Sequence, residues 1–187
     1  TTSGTGPLAT HTLAELRALT LKGTADEHML TLAELAALFA PTPITLRMEI
    51  KPDHAHRPYP GLLAAALAVL DAAGLRGRTV VTSFLADTVA EAAGTPGLAG
   101  AIWLVAPAVQ DDIGLGGIEA VARDIGCKAV GIRENRLDAT VLAALRAPGL
   151  SVGAWAVNSD DAIRRVLALE VDVFTTDIPL AALAIRG

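Results

Sequence analysis

The residues best placed to do chemistry lie in the stretch Arg47-Met48-Glu49-Ile50-Lys51-Pro52-Asp53. Read as the end of a β-strand, it sends Glu49 and Lys51 to one face, because successive strand side chains alternate. In a barrel that face is the interior mouth, where active sites lie. A carboxylate and an ammonium sharing a partly buried mouth must pair with each other or serve an ion. Glu49 is therefore a candidate oxygen ligand for a divalent cation, and Lys51 a candidate hold on a phosphate oxygen. The same two residues also make an ordinary ion pair at a strand end, and pattern alone does not choose between these readings.

Weaker signals lie elsewhere. In Trp155-Ala156-Val157-Asn158, Trp155 shares a strand face with Gly153 and could wall a substrate; the plainer reading is core packing followed by an N-cap. Thr175-Thr176-Asp177-Ile178-Pro179 reads as a strand running into a capped helix start with proline near its first turn. Ser83-Phe84 ends another strand and could bring a hydroxyl to the mouth. Asp53, His54 and His56 have the residue types of a transition-metal site, but a solvated polar loop is the reading adopted here. His11 and His28 stand apart, and no Ser/His/Asp or Cys/His set has a local signature. Cys127, the sole cysteine, excludes an internal disulfide and a cysteine-based zinc site, and reads as a small buried filler.

These residues need elements to position them. Six β-branched runs recur at 44–50, 79–84, 101–105, 129–132, 151–157 and 172–176. Between and before them lie Ala/Leu-rich segments with helical spacing, at roughly 31–40, 61–74, 86–94, 115–126, 138–147 and 159–169. Thr31 three residues before Glu34, and Thr12 three before Glu15, have capping-box spacing. Gly74 and Gly126 supply helix stops. Strands alternating with helices predict repeated βαβ units and a parallel sheet, either open and doubly wound or closed into a (β/α)8 barrel. No glycine-rich phosphate fingerprint follows a strand, which weakens the nucleotide-binding version. A barrel takes about 250 residues, whereas this chain has 187, enough for six units.

Composition narrows the function classes. The chain is 52% hydrophobic and 3% aromatic, and its formal net charge is −5. No Lys/Arg block exceeds two residues, so a phosphate-tracking nucleic-acid surface has no electrostatic basis. No uncharged apolar run reaches the roughly 18 residues of a membrane span.

Taken in order, these motifs resemble the glycerophosphodiester phosphodiesterase family. Thr1-Thr2-Ser3-Gly4-Thr5-Gly6-Pro7-Leu8 with Thr12-Leu13-Ala14-Glu15-Leu16 resembles an Arg-Thr-Thr-Gly-x-Gly-like stretch followed by Thr-Leu-x-Glu-Leu. Leu30-Thr31-Leu32-Ala33-Glu34-Leu35 is similar to the Pro-Thr-Leu-x-Glu segment, with Leu30 in place of proline. Glu49-Ile50-Lys51, Val81-Thr82-Ser83-Phe84 and Trp155-Ala156-Val157-Asn158 resemble three further strand-end motifs. Val171-Asp172-Val173-Phe174-Thr175-Thr176-Asp177-Ile178-Pro179 resembles the closing one, with Glu170 in place of glycine.

The resemblance implies a (β/α)8 TIM barrel, a divalent cation (Ca²⁺ or Mg²⁺), and hydrolysis of a glycerophosphodiester to glycerol 3-phosphate and an alcohol. It implies Glu49 as a metal ligand, Lys51 as a catalytic phosphate contact, and Trp155 as a substrate wall. The family's His-Arg-Gly, Glu-x-Asp and His-Asp motifs have no counterpart in these 187 residues. The expectation is therefore a single barrel domain over 1–187 lacking its first two βα units, and inactive in that form. A non-catalytic barrel relative binding a phosphorylated ligand and a phospholipase D-like lyase remain the alternatives. A small-molecule phosphodiester is the expected partner, with no nucleic acid, no membrane span and a homo-oligomer open; the default location is cytoplasmic.

Overall fold

A computed structural model describes residues 2–187. Two short helices come first, α1 (Leu13–Arg17) and α2 (Leu32–Phe39). Both open with complete capping boxes: Thr12 and Thr31 accept from the backbone of Glu15 and Glu34, whose carboxylates reach back to the cap residues. This satisfies N–H groups that a helix start otherwise leaves unpaired.

Strand and helix then alternate: β1 (Leu46–Glu49), α3 (Leu62–Ala72), β2 (Thr79–Ser83), α4 (Ala86–Ala93), β3 (Gly100–Leu104), α5 (Pro107–Asp124), β4 (Ala129–Arg133), α6 (Ala139–Arg146), β5 (Ser151–Trp155), α7 (Asp160–Ala168), β6 (Val173–Phe174) and α8 (Pro179–Arg186). Gly74 and Gly126 follow α3 and α5 with φ of 67° and 66°, the left-handed backbone that lets glycine end a helix. The sequence locates all six strands. It misses the first half of α5, which is set off by non-helical Gly114, and the body of α8, of which only the Pro179 start is legible.

The six strands form one parallel sheet in the order β1-β2-β3-β4-β5-β6. Its outer face packs on the helices. Val130, Ile132, Val152 and Trp103 meet Ile118, Leu142, Leu145 and Ile163 in one cluster, while Leu46, Ile50 and Val81 meet Leu63, Leu67 and Leu70 in another. Arg78 ties α2 to the sheet, donating to the carbonyls of Phe39, Ala40, Thr42 and Ile44. The alternate residues face inward. In register across that face lie Glu49, Thr82 and Ile102, then Leu104, Gly131 and Gly153.

The sheet is curled, because residues of β1 and residues just beyond β6 line the same cavity. Eight strands closed into a ring are not what is seen: the described residues form a six-stranded parallel half-barrel, with β1 and β6 at its two ends. Six strands at the tilt of such a barrel span only part of its circumference. Among the described residues no helix is long and apolar enough to cross a membrane.

Candidate active site

The inner face of β1 supplies the charge. Arg47, Glu49 and, just past the strand, Lys51 line a cavity of about 390 Å³ at the C-terminal end of the sheet. Thr82 and Phe84 at the end of β2, Leu104 of β3 and Trp155 of β5 form further walls. Asn158, Thr175, Thr176 and Asp177 complete the rim. The three residues expected at a site, Glu49, Lys51 and Trp155, are thus brought together on the inner face and not among the helices.

Lys51 Nζ donates to Glu49 Oε1 at 2.6 Å, the carboxylate being 30% exposed and the lysine 72%. The pair is accessible, so a ligand can take either partner without opening the core. Arg47 lies one strand repeat deeper. Burial pushes its guanidinium below the usual arginine range, and the Glu49 charge opposes that shift.

Trp155 is fixed on three sides. Its Nε1 donates to Gly131 O at 3.1 Å, its ring meets Phe84 edge to face at 5.3 Å, and the Arg133 guanidinium stands 5.6 Å from the ring centre. Gly131 makes the arrangement fit: a Cβ there would lie 2.8 Å from Leu104 Cδ2 and 3.5 Å from Trp155 Cδ1.

After Trp155 the backbone turns sharply. Ala156 holds φ at 61°, a left-handed conformation that costs a non-glycine residue free energy. Asn158 is not the expected cap: Ser159 caps α7 by accepting from Ala162 N. Asn158 instead donates to Asp177 Oδ2 at 2.6 Å and accepts from Asp177 N at 2.8 Å, clamping the loop after β5 to the loop after β6. Asp177 is likewise no helix cap; Ile178, at the cap position of α8, has no side-chain cap bond.

Ser83 does not reach the mouth. It is buried on the helix side, donates to Ile50 O at 2.8 Å and accepts from Leu85 N, so it joins β1 to β2. Its neighbour Phe84 is the residue that faces the cavity. The Asp53-His54-Ala55-His56 loop is self-contained: Asp53 accepts from Ala55 N and Arg57 N, and Arg57, chiefly through its backbone N–H, holds the Asp53 carboxyl below its ordinary range. Cys127 is a buried filler whose thiol burial pushes up.

Among the described residues no three of His, Cys, Asp and Glu converge on a point, and no histidine lines this cavity. A hard divalent cation takes roughly six to eight oxygens. Glu49 fits such an ion as one ligand, but the described residues do not build the rest of its shell.

Residues 1–181 match the model of the Glycerophosphoryl diester phosphodiesterase family. The chain belongs to that family. A structure from Agrobacterium tumefaciens strain C58, provisionally named a glycerophosphoryl diester phosphodiesterase, superposes with a TM-score of 0.95 at 34% identity, over 100% of this chain and 75% of that one. One from Silicibacter pomeroyi, provisionally named likewise, gives 0.77 at 27% identity, over 93% and 67%. An Oleispira antarctica phosphodiesterase in complex with its product sn-glycerol 3-phosphate shares the fold, at 0.76 and 21% identity, over 100% and 74%. No curated protein matches the chain. Within this glycerophosphoryl diester phosphodiesterase fold, the sequence motifs point to Glu49, Lys51 and Trp155. They do not show Leu104 or the Asn158–Asp177 clamp, whose parts come from distant segments. Arg47 was in view, two residues before Glu49, and strand alternation alone places it on the same face.

Proposed function

We propose that this protein hydrolyses glycerophosphodiesters to glycerol 3-phosphate and an alcohol at the mouth formed by Glu49, Lys51 and Trp155. The observation that supports this best is their convergence, from β1 and the end of β5, on one cavity of about 390 Å³. That volume lies in the range of small-molecule sites, roughly 300–1,000 Å³.

The chemistry suits a phosphodiester. The substrate carries one negative charge, and more develops on the phosphoryl oxygens as phosphorus is attacked. In this reading Lys51 leaves Glu49 and donates to one of those oxygens, where a fixed positive charge near apolar walls is most effective. Phe84 and Leu104 supply those walls, and Trp155 lies against the organic part of the substrate. Glu49 would supply one ligand to a divalent cation, Ca²⁺ or Mg²⁺, and such an ion would neutralise charge on the phosphoryl oxygens.

The test is turnover of sn-glycero-3-phosphocholine by the full-length protein, with products identified by ³¹P NMR. Glycerol 3-phosphate is expected. Glu49→Gln and Lys51→Met should each lower kcat/KM by about a hundredfold or more. Normal turnover in both variants sinks the proposal, and a cyclic phosphate as final product replaces it with a lyase.

A further inference from the structure

Arg47 is half-buried, and two of its three guanidinium nitrogens have no role in the proposed chemistry. Its Nε and Nη1 are out of contact with solvent, and neither has a hydrogen-bond partner. Other arginines of the chain are satisfied: Arg57, Arg76 and Arg136 donate to carboxylates, and Arg78 to main-chain carbonyls. The acid nearest Arg47 on its strand is Glu49, which engages Lys51 instead. A guanidinium always carries its charge, and burying its donors without acceptors is costly. The side chain lines the cavity, so the acceptor it lacks can arrive there as a ligand.

We propose that Arg47 is a second oxyanion contact of this cavity, gripping from below the same phosphoryl group that Lys51 meets at the rim. This deepens the phosphodiester reading and rests on it. Arg47 and Glu49 share one face of β1 and Lys51 lies just past its end, lining the same cavity, so two cations flank one carboxylate. The planar guanidinium offers paired N–H groups that match two oxygens of a phosphoryl group, whereas an ammonium binds as a point charge. A phosphomonoester has more free oxygens and more charge than a diester, so Arg47 favours the product as well as the substrate and slows its release.

Calorimetric titration of the full-length protein with sn-glycerol 3-phosphate, inorganic phosphate and glycerol tests this. Arg47→Met should weaken sn-glycerol 3-phosphate about ten- to a hundredfold. Arg47→Lys should restore part of the loss, inorganic phosphate should show the same dependence at lower affinity, and uncharged glycerol should not bind measurably. If Arg47→Met folds and binds sn-glycerol 3-phosphate like the wild type while Lys51→Met does not, this proposal falls and the phosphodiester reading stands. Arg47-dependent phosphate binding without diester turnover does the reverse. Should Arg47→Met fail to fold, the Nε–H signal of Arg47 in ¹⁵N-labelled wild type decides. A shift on adding sn-glycerol 3-phosphate supports the contact, and an unmoved signal at saturation overturns it.

Discussion

Phe84 and Trp155 meet edge to face, with ring centroids 5.3 Å apart and planes at 88°, although two strands separate β2 from β5 in the sheet. Neighbouring strands stand about 4.8 Å apart, so a flat sheet would hold these side chains far from each other. Their contact is a direct mark of the curl that turns the strand ends into a cavity.

That contact gives the first prediction. Phe84→Leu keeps much of the bulk and loses the aromatic geometry, a cost of about 0.5–1.5 kcal/mol in urea unfolding. The indole should also report ligand. Adding sn-glycerol 3-phosphate is expected to change tryptophan emission in wild type and in Trp103→Phe, since Trp103 packs on the helix side. Trp155→Phe should lose that change, and retention of it would place the ligand elsewhere.

Two inner-face glycines should respond differently to an added methyl. At Gly153 a Cβ would lie 2.9 Å from the backbone oxygen of Val173, which cannot move without moving β6. At Gly131 it would meet the end of the Leu104 side chain at 2.8 Å, which can swing into the cavity. Gly153→Ala is therefore expected to cost about 1–3 kcal/mol of stability. Gly131→Ala should cost less but fill part of the cavity and weaken ligand binding. Urea midpoints beside calorimetric affinities separate the two, and equal stability losses would contradict the difference in what each methyl meets.

The acid limb of stability is the third prediction. Burial is the largest influence on Asp172 and raises its carboxyl, but the Val152 N–H and the Arg146 guanidinium together outweigh it and leave the group below its ordinary value. Val152 N reaches Asp172 Oδ2 at 2.7 Å and Arg146 at 3.2 Å. A folded value below the unfolded one, about 3.9, means the stabilisation is complete above the unfolded value. It is lost as pH falls through the folded one. Asp172→Asn should lower the urea midpoint at pH 7 and converge on wild type near pH 2. A constant gap across that range would show that the charge is not the cause.

Much of this protein was legible in its sequence because the determinants are local. Thr31 and Glu34 close a capping box whatever surrounds them. The alternation of β-branched runs with Ala/Leu segments fixes six strands and most of the helices. The two-residue period of a strand sends Glu49 and Lys51 to one face. Asn158 looked like a cap because its segment leads into a helix, but Ser159 takes that role and leaves Asn158 free for Asp177, nineteen positions away. Ser83 carries a hydroxyl at a strand end, yet its parity puts it on the helix side. Which outer residues meet which helices, how far the sheet curls, and that Phe84, Leu104 and Trp155 face one another across the cavity depend on twist and packing summed over the whole sheet. No short stretch of sequence encodes that sum, and only the folded chain shows that Arg47 Nε and Nη1 are buried without a partner.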